Sequence, residues 1–443
     1  MAAAAVTGEY RRVKTALFLI ACGWAGAAPH WLEPSNRLLL SITLVCLLGG
    51  YGFRTVFLRD RDKTLINSNV AASKSLQDDQ LPTVDVLVAA RDEETVLERL
   101  VRRISSLRYP KQKLSIWIID DGSQDQTPHL LDQLRNEFAN LNVIRRSRSA
   151  GGGKSGALNK ALGQVKGDWL LILDADAQLE EDSLHRLVTY AAKGGWSAVQ
   201  LRKAVMNSSQ NLLTRFQAME MAMDAVFQQG RFSSGGAVEL RGNGQLILRN
   251  ALDKCGGFNE DTVTDDLDLS FRLLIAGELV GILWDPPVQE EAVETFSALW
   301  RQRQRWAEGG LQRFFDYWPL LTSNRLDFPQ KRDLTCFFLL QYALPIVAFS
   351  DLVTAFLTRT TPNYWPLSLA GLTISGLAYW SGCKTISEGP ELPKPDPFSL
   401  LMAIIYLSHW FLVIPWVTLK MAILPKKLVW AKTNHQGQKA LRA

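Results

Sequence analysis

The sequence predicts an α/β domain with a mostly parallel, doubly wound sheet, inserted between N-terminal and C-terminal transmembrane helices. Three observations predict this architecture. Long apolar runs lie towards both ends of the 443-residue chain, whereas its middle part is more polar. In that middle part, strand-like apolar runs alternate with helical patterns, which is typical of a parallel sheet. Several of these runs end in acidic residues, so we expect one edge of the sheet to gather carboxylates.

Composition narrows the possible functions. The formal net charge of +5 at pH 7 is mild and gives no case for nucleic-acid binding. The positive residues cluster beside the apolar runs, as the cytoplasmic flanks of membrane spans do. The five cysteines show no CxxC spacing and several lie inside apolar runs. We therefore expect reduced core or lipid-facing cysteines and not metal ligands.

The N-terminal membrane region is expected to cover residues 1–61 with about two spans. The first apolar stretch follows a basic cluster, and a cleaved secretory signal peptide is the alternative interpretation of it. A second, more apolar stretch follows closely within residues 37–58, which favours a helical hairpin with both ends cytoplasmic. Residues 62–82 are polar and are predicted to be a linker.

A soluble domain is predicted over residues 83–295. Its central strand, Leu170–Leu173, runs directly into Asp174 and Asp176. Residues i and i+2 of a strand face the same side, so both carboxylates should meet at one point of the sheet edge. Oxygen ligands of this kind suit Mg²⁺ or Mn²⁺. An ordinary acidic turn is the alternative, because Asp favours turns.

Four further segments of this domain have recognisable patterns. A basic, Gly-rich loop covers residues 145–155, and a Gly-rich approach precedes a strand within residues 241–248. Thr264 is expected to cap a helix that begins with Asp265 and Asp266. A short strand is predicted over residues 280–284.

Residues 296–330 mix aromatic and basic side chains with helical spacing. This pattern predicts amphipathic helices at the membrane surface, with Phe314, Phe315 and Trp318 at headgroup depth. The alternative is a helix that packs into a core and exposes one solvated face.

The C-terminal membrane region is predicted over residues 331–425, with about three spans near 333–358, 364–382 and 399–424. The basic tail, 426–443, should be cytoplasmic by its charge. Three spans would leave this tail on the opposite side from the soluble domain, so one segment is expected to be re-entrant or interfacial.

Taken together, the motifs resemble those of inverting family 2 glycosyltransferases with the GT-A fold. Each motif is weak alone, but their order and spacing between membrane segments make a specific signal. The matched segments are Asp120-Asp121-Gly122-Ser123, Lys154 ahead of Leu158-Asn159, Asp174-Ala175-Asp176, Thr264-Asp265-Asp266 and Gln302-Arg303-Gln304-Arg305-Trp306.

The resemblance implies a role for each matched residue. Asp266 would be the general base that a single inverting displacement requires. Asp174 and Asp176 would hold Mg²⁺, or Mn²⁺, at the diphosphate of the donor. The implied donor-binding residues are Asp120 at the uracil, Lys154 and Asp174 at the phosphates, and Arg303, Arg305 and Trp306; the secondary candidates are Asp265, Gln302 and Asp92.

Two departures from the family pattern affect this assignment. Asp265 stands where Glu is common, and its shorter side chain changes the local geometry. Arg91 and Asp92 stand where many relatives have a Tyr-Asn pair, so aromatic stacking on the base is unsupported at that point.

A narrower resemblance is carried by residues 256–261, 284–287 and 305–310, and it extends over most of the chain. These segments are similar to those of the cyanobacterial β-monoglucosyldiacylglycerol synthases. The similarity implies UDP-glucose as donor, diacylglycerol from the bilayer as acceptor, and a multi-pass protein of the plasma or thylakoid membrane with a cytoplasmic catalytic domain.

Other functions stay open at this point. A processive polysaccharide synthase that uses a UDP-sugar shares the same motifs, and a nucleotide-sugar-binding scaffold without turnover is a second possibility. A nicotinamide-dependent oxidoreductase is disfavoured, because Gly151-Gly152-Gly153 does not match the GxGxxG fingerprint.

Overall fold

The computed structural model describes residues 10–33, 36–57, 76–385 and 387–424. Residues 62–75 of the predicted linker lie outside the described residues, and so does the whole predicted basic tail. The described residues form one seven-stranded sheet with helices on both faces, and long apolar helices flank this domain.

The sheet is mostly parallel, as predicted. Its strand order is β3-β2-β1-β4-β6-β5-β7, and only β6 pairs antiparallel with its neighbours. The strands are β1 (Val84–Ala90), β2 (Leu114–Asp120), β3 (Leu141–Arg145), β4 (Trp169–Leu173), β5 (Ala198–Val205), β6 (Gln245–Leu248) and β7 (Val280–Glu290).

Helices cover both faces of the sheet and continue into the two flanking regions. In the soluble domain they are α3 (Leu97–Ser105), α4 (Thr127–Glu137), α5 (Gly153–Leu162), α6 (Ser183–Gly194), α7 (Leu212–Ser233), α8 (Arg249–Lys254) and α9 (Asp265–Ile275). The flanking helices are α1 (Arg11–Ala27), α2 (Leu39–Phe57), α10 (Phe296–Asp316), α11 (Trp318–Thr322), α12 (Phe328–Thr358), α13 (Trp365–Lys384) and α14 (Pro397–Ile423).

The core lies on both faces of the central strands because their side chains alternate between two layers. Along β4, Leu171 and Leu173 pack into a core with helices α3 and α6, whereas Leu170 and Ile172 pack into a second core with helices α5 and α9. All four side chains are fully buried. Burial on both faces is the reason that this strand is a continuous apolar run instead of an alternating one.

Three of the described helices are long and apolar enough to cross a membrane, namely α2, α12 and α14. Helices α1 and α13 fall short of this combination of length and hydropathy, although both were expected to span. Helix α1 packs against α12 and α14, and α13 packs against α7 of the soluble domain. The structure therefore associates the soluble domain with a bundle of apolar helices at one side.

Helix α10 differs from the expected surface helix. Phe314 and Phe315 are buried at 1% and 5% exposure, and Phe314 packs on Phe271 of α9 and Phe338 of α12. Both rings fill the space between the soluble domain and the apolar helices, so the structure favours the alternative of a core-packing helix for these two residues, and the depth of α10 in a membrane stays a prediction. Trp318 is 53% exposed and agrees with a surface position.

Two local expectations are also corrected. Strand β7 continues to Glu290, past the predicted end at residue 284, and it crosses a cis Asp285–Pro286 bond on the way. Thr264 occupies the N-cap position of α9, but its side chain makes no capping hydrogen bond. Its hydroxyl is buried without a hydrogen-bond partner among the described residues. Gly309 of α10 accounts for this burial, since an added Cβ at that glycine would clash with Thr264 Oγ1.

Candidate active site

The carboxyl ends of β1, β2 and β4 meet at one edge of the sheet. Val88 of β1 pairs with Leu173, and Ala90 pairs with Asp120. This parallel register brings the residues that follow the three strands to the same side of the domain. Asp174 and Asp176 lie there, as the sequence predicts, with Asp176 buried and Asp174 partly exposed.

Lys154, at the start of helix α5, lies between two of the carboxylates. Its ammonium nitrogen donates to Asp174 Oδ1 at 2.7 Å and lies 4.0 Å from Asp265 Oδ2. It also donates to the carbonyl oxygen of Gly242 at 3.3 Å. Burial lowers the pKa of Lys154, but the carboxylates of Asp174 and Asp265 outweigh burial and hold the pKa above its ordinary value. The side chain is therefore a cation at neutral pH.

Asp266 lies beside Lys154 and the Gly-rich approach to β6. Gly242 adopts a φ of +85°, and a Cβ there would meet Asp266 Oδ2 at 3.4 Å, so the backbone passes close to this carboxylate. Burial, followed by the negative charge of Asp265, raises the pKa of Asp266 to about 6. A carboxylate with a pKa near 6 is ionised at neutral pH and can still accept a proton, which are the two properties of a general base.

The acidic residues provide a fitting but incomplete set of metal ligands. Asp176 Oδ2 accepts from the backbone N–H of Glu291 at 2.9 Å, which aligns that carboxylate. Asp265 Oδ2 is buried and accepts no hydrogen bond from the part of the chain that the structure describes. Across the described residues, no three His, Cys, Asp or Glu side chains are grouped closely enough to hold a metal by themselves. Such a site suits a hard cation such as Mg²⁺, which commonly uses one or two carboxylates and completes its shell with phosphate oxygens and water.

Helix α10 carries the Gln302–Trp306 motif against the same site. Gln302, Arg305 and Trp306 line the cavity that contains Asp174 and Asp266. Burial lowers the pKa of Arg305, and the carboxylates of Asp174 and Asp266 oppose that effect. Arg305 therefore lies close enough to Asp174 and Asp266 to interact with their charges, and an anionic ligand in the cavity would contact it.

Arg303 departs from its expected position. It does not line this cavity; it is fully buried and pairs with Glu220 of α7. It also donates to the hydroxyl of Tyr406 at 3.1 Å. The structure therefore directs this guanidinium towards the junction between α10, α7 and α14 and not towards a donor, because Glu220 is the buried carboxylate within its reach.

Asp120 and Asp92 lie at the same sheet edge but outside this cavity. Asp120 is buried and accepts from the backbone N–H of Ser123 at 2.9 Å. Asp92, at a φ of +54°, accepts from the backbone N–H of Gln124 and from Arg148. Both carboxylates organise neighbouring loops, and their roles in donor binding stay predictions.

A cavity of about 760 Å³ extends from the sheet edge into the apolar helices. We call its polar part the sheet-edge end, defined by Lys154, Asp174, Asp176, Asp265, Asp266 and Arg305. We call its other part the membrane end, defined by Leu48 of α2, Leu344 and Pro345 of α12, and Leu367, Gly371 and Ile374 of α13. The two ends belong to one continuous space, so a ligand could contact Asp266 and the apolar helices at once.

A buried ionic cluster lies between the two ends. Arg231 of α7 donates to Asp333 of α12 at 2.9 Å, and Tyr51 of α2 donates to the same carboxylate at 2.6 Å. Glu239 pairs with both Arg231 and Arg313. The three arginines around Glu239, including Arg241, lower its pKa against the opposing effect of burial. These contacts join the soluble domain to the apolar helices.

Lys203 and Glu290 also belong to the site, although neither was predicted from the sequence. They form an ion pair at 2.8 Å in the wall of the cavity, and Lys203 lies 5.8 Å from the ring centroid of Trp306. A signal was available, because Lys203 and its neighbour Arg202 are charged residues within a strand that is otherwise rich in Ala, Val and Leu. Glu290 was overlooked because the strand was expected to end at residue 284.

Comparison with known proteins agrees with this geometry. The family profile described as "Glycosyltransferase like family 2" matches residues 82–309. A protein named beta-monoglucosyldiacylglycerol synthase from Synechocystis sp. is 47% identical over 359 residues, which are 80% of this chain and 75% of the relative. One of the same name from Trichormus variabilis is 41% identical over 432 residues, 96% of this chain and 90% of the relative.

A solved structure shares the fold. The mannosyltransferase PcManGT from Pyrobaculum calidifontis, in complex with GDP-Man and Mn²⁺, superposes with a TM-score of 0.58. The match covers 86% of this chain and 98% of that chain at 20% sequence identity. This likeness confirms the GT-A fold that the sequence predicted.

Proposed function

The chain belongs to glycosyltransferase family 2, and from this premise we propose that it is an inverting glucosyltransferase. It transfers glucose from UDP-glucose to 1,2-diacylglycerol and produces β-monoglucosyldiacylglycerol and UDP. The name of the two cyanobacterial relatives, beta-monoglucosyldiacylglycerol synthase, supports glucose as the transferred sugar and diacylglycerol as the acceptor.

The observation that carries the proposal is the continuous cavity. Its sheet-edge end has the charges that a nucleotide diphosphate requires, and its membrane end has apolar walls from α2, α12 and α13. Diacylglycerol has one reactive hydroxyl and two long acyl chains, so it needs a polar site at one end and an apolar site at the other. The proposed acceptor therefore fits with its hydroxyl near Asp266 and its chains between the helices.

The sheet-edge end would bind the donor through the residues of the matched motifs. Lys154 and Arg305 would neutralise the diphosphate, and Asp120 would accept an N–H from the uracil. Asp174 and Asp176 would hold a divalent cation, Mg²⁺ or Mn²⁺, which supplies Lewis-acid stabilisation of the leaving diphosphate.

Asp266 would act as the general base. The acceptor hydroxyl oxygen attacks the anomeric carbon of glucose while the bond from that carbon to the diphosphate oxygen breaks. Asp266 takes the proton of the hydroxyl in the same step, so the configuration at the anomeric carbon inverts once. The pKa of about 6, set by burial and by Asp265, keeps the carboxylate ionised and still basic enough for this task.

The proposed location is an integral, multi-pass position in a cyanobacterial plasma or thylakoid membrane, with the soluble domain in the cytoplasm. The three most apolar helices support membrane association. Glu388, which follows α13, pairs with Arg186 of the soluble domain, and Ser399 at the start of α14 accepts from Arg215 of α7, so the chain has already returned to the soluble domain before α14 begins. A basic tail on the cytoplasmic side would then require α14 to be a re-entrant or interfacial segment.

A processive polysaccharide synthase is the second candidate, since the Gln302–Trp306 motif is compatible with it. A growing polymer of sugars needs hydroxyl-binding groups along its whole path through the membrane. The apolar helices line the cavity with more apolar than polar residues, the polar ones including Gln341, Ser368 and Ser375. This composition favours a lipid acceptor and one transferred sugar.

The test is transfer by the purified full chain in vesicles that contain diacylglycerol, with Mg²⁺ and labelled UDP-glucose or, in parallel, UDP-galactose. We expect label in one organic-soluble lipid with one hexose per lipid, and no label with Asp266→Asn. An insoluble labelled polymer would support the polysaccharide synthase. Absence of transfer from either donor would contradict the proposal as a whole.

A further inference from the structure

A second ion pair in the cavity wall has no part in the mechanism above. Lys203 of β5 and Glu290 of β7 are joined at 2.8 Å, and their side chains are only 13% and 15% exposed. Removing two charges from water costs free energy that the pair recovers only when its remaining donors and acceptors are also satisfied. Both residues line the same cavity as Asp174 and Asp266. The donors of the Lys203 ammonium and the acceptors of the Glu290 carboxylate that are not used in the ion pair are therefore available to a ligand in the cavity.

The pair lies beside an aromatic surface. The ammonium of Lys203 is 5.8 Å from the ring centroid of Trp306, which also lines the cavity. A hexose presents an apolar face of C–H groups and a rim of hydroxyls. An indole suits the apolar face. An ammonium and a carboxylate, respectively, donate to and accept from neighbouring hydroxyls. The three side chains therefore have the chemistry of a hexose site.

The pair is also linked to the predicted metal ligands. Asn243 is fully buried between them: its Oδ1 accepts from the backbone N–H of Asp174 at 3.2 Å, and its Nδ2 donates to Glu290 Oε2 at 3.5 Å. The backbone N–H of Glu291, the next residue, donates to Asp176. In a nucleotide sugar the hexose is bonded to the phosphate that the metal would contact. A sugar therefore has to lie next to Asp174 and Asp176, where Glu290 lies.

We propose that Lys203 and Glu290 bind the hydroxyls of the donor hexose against Trp306 and so determine which sugar is accepted. This inference rests on the proposed function, since it assumes a nucleotide-sugar donor at Asp174 and Asp176. The competing explanation is that Lys203 only offsets the surrounding negative charge of Glu290, Asp174 and Asp266. In that case the carboxylate of Glu290 would have no contact with the sugar.

The experiment compares dissociation constants for UDP-glucose and for UDP on the full-length protein with Mg²⁺. UDP lacks the hexose, so its affinity reports on the rest of the site. We expect Glu290→Gln and Lys203→Met each to raise the ratio of the UDP-glucose constant to the UDP constant about tenfold, the size of a lost hydrogen bond to a charged group. Both variants should also reduce the preference for UDP-glucose over UDP-galactose in transfer.

Asp285→Asn is the matched control. Asp285 lies on the same strand as Glu290 and pairs with Arg202, the neighbour of Lys203, also at 2.8 Å, but neither residue lines the cavity. This variant should keep the wild-type ratio. Retained UDP binding shows that each variant is folded; if Lys203→Met does not bind UDP, Glu290→Gln decides the question by itself.

Two results would overturn the inference: an unchanged ratio in Glu290→Gln, whether or not Lys203→Met changes it, or an equal change in the control. The first would support simple charge compensation. Failure of the proposed function is a different result, because wild-type protein would then transfer no hexose to lipid from any UDP-sugar.

Discussion

The two ends of the cavity differ in almost every physical property. The sheet-edge end collects Asp174, Asp176, Asp265 and Asp266 around Lys154 and Arg305, whereas the membrane end is formed mainly by aliphatic side chains from three helices. Charged groups interact strongly in a partly buried site, and apolar walls favour ligands that water excludes. Under the proposed function, this difference allows one cavity to bind a water-soluble donor and a lipid acceptor on opposite sides of Asp266.

The ionic cluster between the two ends has a structural role that is separate from ligand binding. Arg231, Glu239 and Asp333 are almost completely buried and join α7 to α12. Loss of one member of a buried ion pair leaves an uncompensated charge, which is strongly destabilising. This cluster therefore keeps the two ends in a defined position relative to each other, and the variants below leave it intact.

The largest expected effect is at the base. Asp266→Asn should lower the rate constant for transfer by about 10²–10⁴-fold, because an amide of similar size cannot accept the hydroxyl proton. UDP binding, measured by titration, should stay close to that of the wild type. If Asp265→Asn lost transfer with intact UDP binding and Asp266→Asn did not, the assignment within the pair would be reversed.

The next effect concerns the metal carboxylates. Asp176→Asn should lower transfer about 100-fold or more, since several kcal/mol of leaving-group stabilisation depend on a bound cation. EDTA should stop wild-type transfer, and added Mg²⁺ should restore it. The control is Asp168→Asn at the opposite end of β4, where the carboxylate accepts from Thr83. Full wild-type activity in EDTA would rule out the metal-dependent mechanism.

The pH dependence should follow Asp266. Its pKa is raised to about 6, so the basic form predominates above that pH and is lost as the pH falls below it. Transfer should therefore decrease about tenfold for each pH unit below 6, with UDP binding followed at each pH as the control. Asp265→Asn removes a negative neighbour that raises this pKa, so the acid limb should move to lower pH. An acid limb that stays in place would show that another group is titrating.

A smaller effect is expected at the membrane end. Gly371 of α13 lines the cavity, and an added Cβ would have only Leu344 Cδ2 nearby, at 4.0 Å. Gly371→Leu should fill acceptor space and raise the apparent KM for diacylglycerol about tenfold, with the KM for UDP-glucose unchanged. Gly50→Leu is the matched control, since an added Cβ at Gly50 has no atom within 4 Å and this residue does not line the cavity. An equal rise for both substrates would contradict the separation of the two ends.

The smallest effect is expected on the outer surface of the junction. Trp318→Ser changes an exposed side chain, so the apparent KM for diacylglycerol should rise only about twofold in a vesicle assay. Phe314→Ser should instead lower the thermal unfolding temperature in detergent, because that ring is buried among other aromatic rings. If Phe314→Ser raised the KM for diacylglycerol and left the unfolding temperature unchanged, Phe314 would instead lie at the membrane surface.

Several features could be predicted from the sequence because they depend on local patterns. The apolar run of β4 followed by Asp174 and Asp176 predicted both a buried strand and a carboxylate pair at its end. Lys154, Asp265, Asp266 and Arg305 were selected by motif order, and the fold brings them to one cavity. Periodicity and chain order contain this information, since parallel strands must end at the same edge.

Other features were decided only by tertiary structure. Arg303 belongs to the same motif as Arg305 but turns to Glu220, because the buried carboxylate lies on α7, far away in sequence. Phe314 and Phe315 were expected at the membrane surface, and they are buried because α9 and α12 close over them. Lys203 meets Glu290 only through the pairing of β5 with β7. A local pattern determines which face of an element is apolar, whereas the partner that covers that face depends on how distant segments pack.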